Sequence, residues 1–223
     1  MQVEWYGQSA FRLTAGDTTV FIDPFGDMSA LAAARGMQFE YPAIEGIEAD
    51  LVLITHEHGD HNFVQTIGGA PEVLRSTAGR LGSPIGEIIA VASEHDEHAG
   101  TERGPNTIFV FDLDGIRCCH FGDFGQCGLR DEQAEAITTV DLLFIPVGGG
   151  PTIGDQQAAA IAQRLEARWI VPMHYRTPRV NFLGPVEPFL ERMEHVQRLE
   201  SASFDTSSLP GEHQPLAVVP AAP

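Results

Sequence analysis

The sequence ITHEHGDHN, residues 54–62, places three histidines and two acidic residues within the six positions from His56 to His61. It directly follows residues 50–54, a short apolar run that predicts a buried strand. Neutral imidazole nitrogens and carboxylate oxygens are suitable ligands for zinc and its first-row neighbours. A short loop with so many of these groups at the end of a strand predicts a metal-binding site. A solvated surface loop is the alternative interpretation.

The spacing within this loop indicates two metal ions. One small ion cannot usually accept four donors from a single turn, because tetrahedral angles conflict with a tight backbone. The conflict is relieved if His56 and His58 bind one ion while Asp60 and His61 bind the other. The zincin pattern H-E-x-x-H is excluded, since Asp60 stands where its second histidine would be. Each ion then requires further ligands from elsewhere in the chain.

Three more polar side chains follow predicted strands at distant points of the sequence. His95, Asp123 and His174 each come one or two residues after an apolar run. The three apolar runs are residues 86–93, 116–121 and 169–173. Residues just past the ends of neighbouring strands share one edge of a sheet, where polar sites collect on loops. We therefore expect these distant segments to deliver ligands to the same place.

The remaining pattern predicts strands at both ends of the chain and a strand–helix–strand unit in its second half. A helix is predicted to begin at Asp155, between apolar strands, and Asp114-Gly115 predicts a hairpin turn. Other predicted strands cover residues 3–6, 10–13, 18–22, 107–111 and 140–147, and other helices cover 29–35 and 186–199. The chain is expected to form a single domain, residues 1–223, with one short strand in a Pro-rich C-terminal tail from about residue 210.

The composition limits the classes of function. The chain has 31 acidic residues against 13 basic ones, all arginine, and a formal charge of −18. This charge repels nucleic acids and anionic lipids, so neither is expected as a partner. A bound divalent cation would reverse the field locally, so a small anionic substrate is compatible with it. A small-molecule substrate is the expected partner, and assembly into a homo-oligomer stays open.

The cysteines and the N-terminal sequence predict a cytoplasmic protein. Cys118, Cys119 and Cys127 are odd in number and form no C-x-x-C pair, which argues against a disulfide framework. The N-terminus shows no signal-peptide pattern, and no apolar run approaches the roughly 20 residues that span a bilayer. Cys119 and Cys127 are expected to be small core residues, since free cysteine is often buried.

The histidine-rich loop resembles the signature H-x-H-x-D-H of the metallo-β-lactamase superfamily. The resemblance covers most of residues 3–175 and points to a subgroup of small metal-dependent hydrolases akin to the ascorbate-6-phosphate lactonase branch. Its further motifs occur in the subgroup's order: IDPF (22–25), GDFG (122–125), PVGG (146–149) and PMHY (172–175). The implied fold is α/β, a four-layer αβ/βα sandwich of two mixed β-sheets with helices outside.

The resemblance also implies a ligand for each position of a dinuclear centre. Asp123 would bridge the two ions. The first ion would be held by His56, His58 and His95, and the second by Asp60, His61 and His174. His98 competes with His95, which lies closer to the end of its strand. His120 is expected to be a core or supporting histidine, and Asp23 to tie the first sheet to the metal loop.

The implied activity is metal-dependent hydrolysis of a small ester, lactone or phosphoester. A metal-bridging hydroxide would be the nucleophile, and Asp60 would orient it as well as bind metal. Zinc is the expected metal, and manganese or iron also suits these ligands. Arg103, Tyr175 and Arg176 are proposed substrate contacts. Two alternatives are an iron-dependent oxidoreductase, similar to a persulfide dioxygenase, and a metal-stabilised binding module without turnover.

Overall fold

The computed structural model describes residues 1–211 and 215–223 and is built mainly from β-strands. The four α-helices are α1 Ser29–Ala34, α2 Asp131–Ile137, α3 Asp155–Arg164 and α4 Glu187–Leu190. The strands are β1 Gln2–Gly7, β2 Ala10–Ala15, β3 Thr18–Ile22, β4 Ile47–Glu48, β5 Leu51–Ile54, β6 Ile67–Gly68, β7 Glu72–Arg75, β8 Gly79–Ser83, β9 Gly86–Glu94, β10 Pro105–Leu113, β11 Ile116–His120, β12 Leu142–Pro146, β13 Trp169–Met173, β14 His195–Arg198, β15 Ser203–Asp205 and β16 Leu216–Val219. None of the helices in these residues has the length and apolar character needed to cross a membrane.

Apart from β4 and β6, which pair with each other in parallel, the strands form two large mixed sheets. The first has the order β15-β1-β2-β3-β5-β7, antiparallel as far as β3 and parallel from there to β7. The second has the order β14-β16-β13-β12-β11-β10-β9-β8, parallel from β14 to β11 and antiparallel from there to β8. Strands β12 and β13 are parallel and are joined through α3, so the predicted strand–helix–strand unit is confirmed.

The main hydrophobic core lies between the two sheets. The ring of Phe11 on β2 packs 4.5 Å from that of Phe144 on β12, and residues of both sheets share this core. Every residue of β5, β12 and β13 is buried, as expected for strands of a sheet that is covered on both faces. Phe21 and Phe39 belong to a second cluster on the first sheet, together with residues near α1. The predicted four-layer α/β sandwich of mixed sheets is confirmed.

The predicted helix over residues 186–199 is wrong after its first turn. Helix α4 ends at Leu190, and residues 195–198 form strand β14 instead. The apolar residues of this segment have helical spacing, but β14 pairs in parallel register with β16. This ladder of backbone hydrogen bonds with a distant segment outweighs local periodicity, as tertiary context often does.

The Pro-rich tail predicted from about residue 210 contains one short strand, as expected, and this strand covers residues 216–219. These four residues form β16, are all buried, and lie between β13 and β14 in the second sheet. Residues 212–214 of the predicted tail lie outside the described residues. The sequence did not indicate the position of this strand in the sheet, because its partners β13 and β14 are distant in sequence.

Candidate metal centre

The loops that follow β5, β9, β11 and β13 meet at one place, around the carboxylate of Asp123. The Nε2 atoms of four histidines face its Oδ2 atom. The distances from Asp123 Oδ2 to these atoms are 3.2 Å for His95, 3.3 Å for His61, 3.3 Å for His174 and 3.9 Å for His56. Four segments that are far apart in sequence thus converge, as their positions after strand ends predicted.

The described residues contain three sets of possible metal ligands. One of them, Asp23 with His56 and His61, shares its histidines with the other two. In the first of the other two sets the ligand atoms of His56, His58 and His95 lie within 4.8 Å of one another. In the second set the same limit holds for His61, Asp123 and His174. Asp60 lies beside the second set, with its Oδ2 atom 3.6 Å from His61 Nε2. These two sets match the ligand division that the resemblance implies, with Asp60 slightly apart.

Hydrogen bonds on the far side of the rings orient three of the histidines. His61 Nδ1 donates to Asp23 Oδ2 at 3.0 Å, and His95 Nδ1 donates to the carbonyl of Pro151 at 3.1 Å. His56 Nδ1 donates to Thr55 Oγ1, whose hydroxyl in turn donates to Asp23 Oδ2. These bonds direct the Nε2 atoms of the three rings towards Asp123, as in many protein metal sites.

Two of the inward-facing nitrogens are buried without a partner. Among the described residues, neither His56 Nε2 nor His61 Nε2 has a hydrogen-bond partner. Leaving a polar atom unpaired in a protein interior costs free energy, so such atoms usually have a function. Unpartnered imidazole nitrogens that face a carboxylate oxygen are the donor set that a divalent first-row cation requires. The residues present therefore fit a metal site.

The electrostatics of the cluster keep Asp123 ionised. Burial alone would raise the pKa of Asp123, but the adjacent His174 and His61 hold that pKa well below its usual range. Burial together with His61 holds the pKa of His56 well below the usual histidine value, so its ring is neutral. Burial alone would lower the pKa of His61, but Asp123 and Asp60 raise it well above that value. The ionised carboxylate of Asp123 beside the neutral ring of His56 is a metal-binding combination.

Asp123 itself is fixed by residues that the sequence did not identify. Its Oδ1 atom accepts a hydrogen bond from Ser9 Oγ at 3.2 Å, and its backbone N–H donates to Asn106 Oδ1 at 3.0 Å. His120 is buried next to this network, with Nε2 donating to the Ser9 carbonyl and Nδ1 accepting from Gly122 N–H. No local pattern marks Ser9 or Asn106, because each acts on a loop distant in sequence.

The structure distinguishes between His95 and His98. His95 is buried in the cluster, whereas the side chain of His98 is 65% exposed and pairs with Glu102 at 3.2 Å. Asp23 also lies where the sequence predicted, since its carboxylate joins the end of β3 to Thr55 and His61 of the loop after β5.

A cavity of about 620 Å³ opens over the cluster. Its floor includes Asp60, Asp123 and three of the histidines, and Arg103 lines its wall as predicted. Arg35 also lines the cavity, a residue that the sequence did not single out because nothing near it indicates a site. The volume lies within the usual range for small-molecule sites, roughly 300–1,000 Å³.

The structure corrects the predicted roles of Tyr175 and Arg176. Tyr175 is only 5% exposed, and its ring packs 5.4 Å from that of Trp5 in the core. Arg176 donates through Nε to the carbonyl of Leu183, at the surface. His174 has a left-handed φ of 51°, so the chain turns sharply there, and the next residues leave the cavity.

The fold and the cluster together define a metallo-β-lactamase-type sandwich with a histidine- and aspartate-rich centre on the loops that follow β5, β9, β11 and β13. Sequence comparison agrees, because the profile of the Beta-lactamase superfamily domain matches residues 2–174. The chain belongs to the metallo-β-lactamase superfamily.

Individual relatives extend this similarity over most of the chain. A UPF0173 metal-dependent hydrolase from Thermococcus kodakarensis is 31% identical over 208 residues, covering 79% of this chain and 85% of the relative. Another, from Nitratidesulfovibrio vulgaris, is 29% identical and covers 79% of this chain and 80% of its own. A crystal structure from Thermotoga maritima, described as a candidate Zn-dependent hydrolase of the same superfamily, is 28% identical with a TM-score of 0.76 and covers 99% of both chains.

Proposed function

We propose that the protein is a metal-dependent hydrolase with a dinuclear centre built around Asp123. One observation carries the proposal: four histidine nitrogens face one buried carboxylate oxygen, and two of them lack any hydrogen-bond partner among the described residues. The description of the similar proteins as metal-dependent hydrolases supports the same conclusion.

Seven side chains would hold two divalent cations. Asp123 would contribute to both sites. The first cation would be held by His56, His58 and His95, and the second by Asp60, His61 and His174. When bound, the pair would act as a Lewis acid and lower the pKa of a shared water from about 15.7 towards 7. The ligand types favour zinc and also suit manganese or iron.

The chain's own residues would position the substrate and handle protons. The Asp60 side chain is 25% exposed on the cavity floor, so its carboxylate can contact substrate and water there. Asp60 would orient the attacking water and accept its proton at a carboxylate oxygen. The cavity volume suits a small ester, lactone or phosphoester, and a protein nucleophile is not needed.

The test begins with the metal content of protein purified without added metal. We expect about two divalent ions per chain. The reconstituted protein should hydrolyse at least one member of an ester, lactone and phosphoester panel. His58→Ala, His95→Ala and Asp123→Ala should each lower the metal content and reduce the rate by at least about 100-fold. His98→Ala is the matched control, since this exposed histidine lies only three residues from His95 and should change neither quantity.

Three other results would contradict the proposed site or the proposed hydrolase function. Full metal content and rate in both His58→Ala and Asp123→Ala would show that the site is wrongly placed. Iron content with oxygen uptake and no hydrolysis would favour the oxidoreductase alternative. Intact metal content without turnover on any substrate would favour a binding module.

A further inference from the structure

Two arginines, unlike the other basic residues of the chain, make no polar side-chain interaction with the rest of the described structure. Of the thirteen arginines, Arg35 and Arg103 alone have no side-chain hydrogen bond or ion pair with another described residue. Acidic residues outnumber arginines 31 to 13, and most of the other arginines pair with a carboxylate. Both unpaired arginines line the cavity over the metal cluster.

The backbone that carries Arg103 is held in place by Asp96, which follows His95. The Asp96 carboxylate accepts four backbone hydrogen bonds. The donors, at 2.8–3.0 Å, are the N–H groups of His98, Gly100, Glu102 and Arg103. These bonds therefore fix the position of the backbone from which the Arg103 side chain extends.

The backbone that carries Arg35 is also fixed. Arg35 is the C-cap of helix α1, and its N–H donates to the Ala32 carbonyl at 3.0 Å. The segment after it is tied to residues 179–181, since Gln38 N–H donates to Asn181 Oδ1 and Glu40 N–H donates to the Arg179 carbonyl. A guanidinium on a fixed backbone loses less freedom when it binds a carboxylate or phosphate.

The cavity wall around Arg35 is apolar. Leu31 is 48% exposed, although large apolar side chains are normally buried. The apolar lining residues are Met28, Leu31, Ala32, Met37, Phe39 and Phe182. This wall would pack against an apolar part of a substrate, while the arginines would bind a charged part.

None of the acidic residues that line the cavity pairs with either arginine. The Glu102 carboxylate instead lies 3.2 Å from His98 Nδ1. Asp60 and Asp123 would be neutralised by the bound cations, so the inference rests on the proposed function. We propose that the substrate is an amphiphilic anion: its carboxylate or phosphate group is bound by Arg35 and Arg103, its apolar body lies on the wall, and its scissile bond lies over the metal cluster.

The test is direct binding to the protein as purified, with its metal content measured. Hexanoate and hexylphosphonate serve as anionic probes, acetate as a short anion and hexanamide as a neutral analogue, each titrated calorimetrically. Both six-carbon anions should bind at least about tenfold more tightly than hexanamide. Hexanoate should bind more tightly than acetate, by up to about fourfold for each buried methylene. If hexanoate binds more tightly than hexylphosphonate, the substrate is expected to carry a carboxylate, and in the opposite case a phosphate group.

Arginine variants test whether Arg35 and Arg103 are the residues that bind the anionic group. Arg35→Gln and Arg103→Gln should each weaken anion binding about tenfold and leave hexanamide binding unchanged. Arg35→Lys and Arg103→Lys retain the charge and should recover part of the loss. The matched control is Arg80→Gln, because Arg80 is an exposed arginine on β8 that pairs with Glu87. This variant should bind all four probes as the unmodified protein does.

Equal affinity for hexanoate and hexanamide, or the same loss in Arg80→Gln as in the cavity variants, would overturn the inference. Hydrolysis of neutral esters together with such a result would leave the proposed function standing. Arginine-dependent anion binding without any hydrolysis would instead retain the anion site and remove the proposed function.

Discussion

At the residue scale, Asp23 sets the proton positions of two histidines. Its Oδ1 atom accepts from Thr55 N–H at 2.8 Å, and its Oδ2 atom accepts from Thr55 Oγ1 and His61 Nδ1. All three donors point at one fully buried carboxylate. His61, and His56 through Thr55, therefore carry a proton on Nδ1 and direct Nε2 to the Asp123 carboxylate.

Asp23→Asn should weaken metal binding by about 10- to 100-fold with a small loss of folding stability. Asparagine keeps the size of the side chain and tolerates the φ of 49°, but its amide cannot accept from all three donors. With its NH₂ group towards His61, the ring must accept at Nδ1 and carry its proton on Nε2, where it blocks a cation. Competition with a chelator measures the affinity.

Asp50→Asn is the matched control for this substitution. Asp50 also accepts from a backbone N–H, that of Thr19, but it lies at the start of β5 rather than at its end. Metal affinity in this variant should stay within about twofold of the unmodified protein. An equal loss in both variants would mean that Asp23 acts through general stability and not through His61.

At the scale of elements, the loop between β9 and β10 depends on the ionisation of one carboxylate. The pKa of Asp96 is about 2 in the folded chain, below the ordinary value of about 3.9 in the unfolded chain. A depressed carboxyl pKa contributes stability that is present above the unfolded value and is lost as pH falls through the folded one. The loop that presents Arg103 should thus be ordered at neutral pH.

Amide hydrogen exchange tests this dependence. Protection of the N–H groups of Gly100, Glu102 and Arg103, corrected for intrinsic rates, should be constant from neutral pH to about 4 and should fall towards pH 2. Asp96→Asn should lower the same protection already at pH 7, because an amide has one acceptor oxygen instead of two. Amides of strand β9 are the internal reference. Unchanged loop protection in Asp96→Asn would refute the role of this carboxylate.

At the scale of the whole molecule, glycines allow the ligand-bearing loops to approach one another. A Cβ atom on Gly125 would overlap the carbonyl group of His95, and one on Gly148 would overlap the carbonyl oxygen of His174. Gly125 N–H also donates to the Glu94 carbonyl at 2.9 Å. Backbone contact between the GDFG segment and the end of β9 thus sets how closely His95 approaches Asp123.

Gly125→Ala should destabilise the fold by about 1–3 kcal/mol and weaken metal binding. The added methyl group would push the backbone of residue 125 away from that of His95, and the ligands on the two segments would move apart. Urea denaturation and chelator competition measure the two effects. Gly128→Ala, three residues later, is the matched control, since nothing lies within 4 Å of its Cβ position. If the two variants behave alike, close packing at Gly125 does not position His95.

The sequence by itself determined the features that depend on residues close together in the chain. Four donors lie within residues 56–61, and His95, Asp123 and His174 follow apolar runs, so a cluster of donors could be inferred without coordinates. The ordered motifs indicated the superfamily and its sandwich. In contrast, only the tertiary structure decided between His95 and His98, because it buries the first and exposes the second.

The tertiary structure also decided every feature that depends on distant partners. Residues 195–198 form a strand because they pair with residues 216–219, although their local spacing indicates a helix. Tyr175 packs in the core because the chain turns at His174. That Arg35 and Arg103 pair with no carboxylate among the described residues likewise depends on where those carboxylates lie. Hydrogen bonds, burial and charge pairing between distant segments outweigh local preference, and these are known only once the chain has folded.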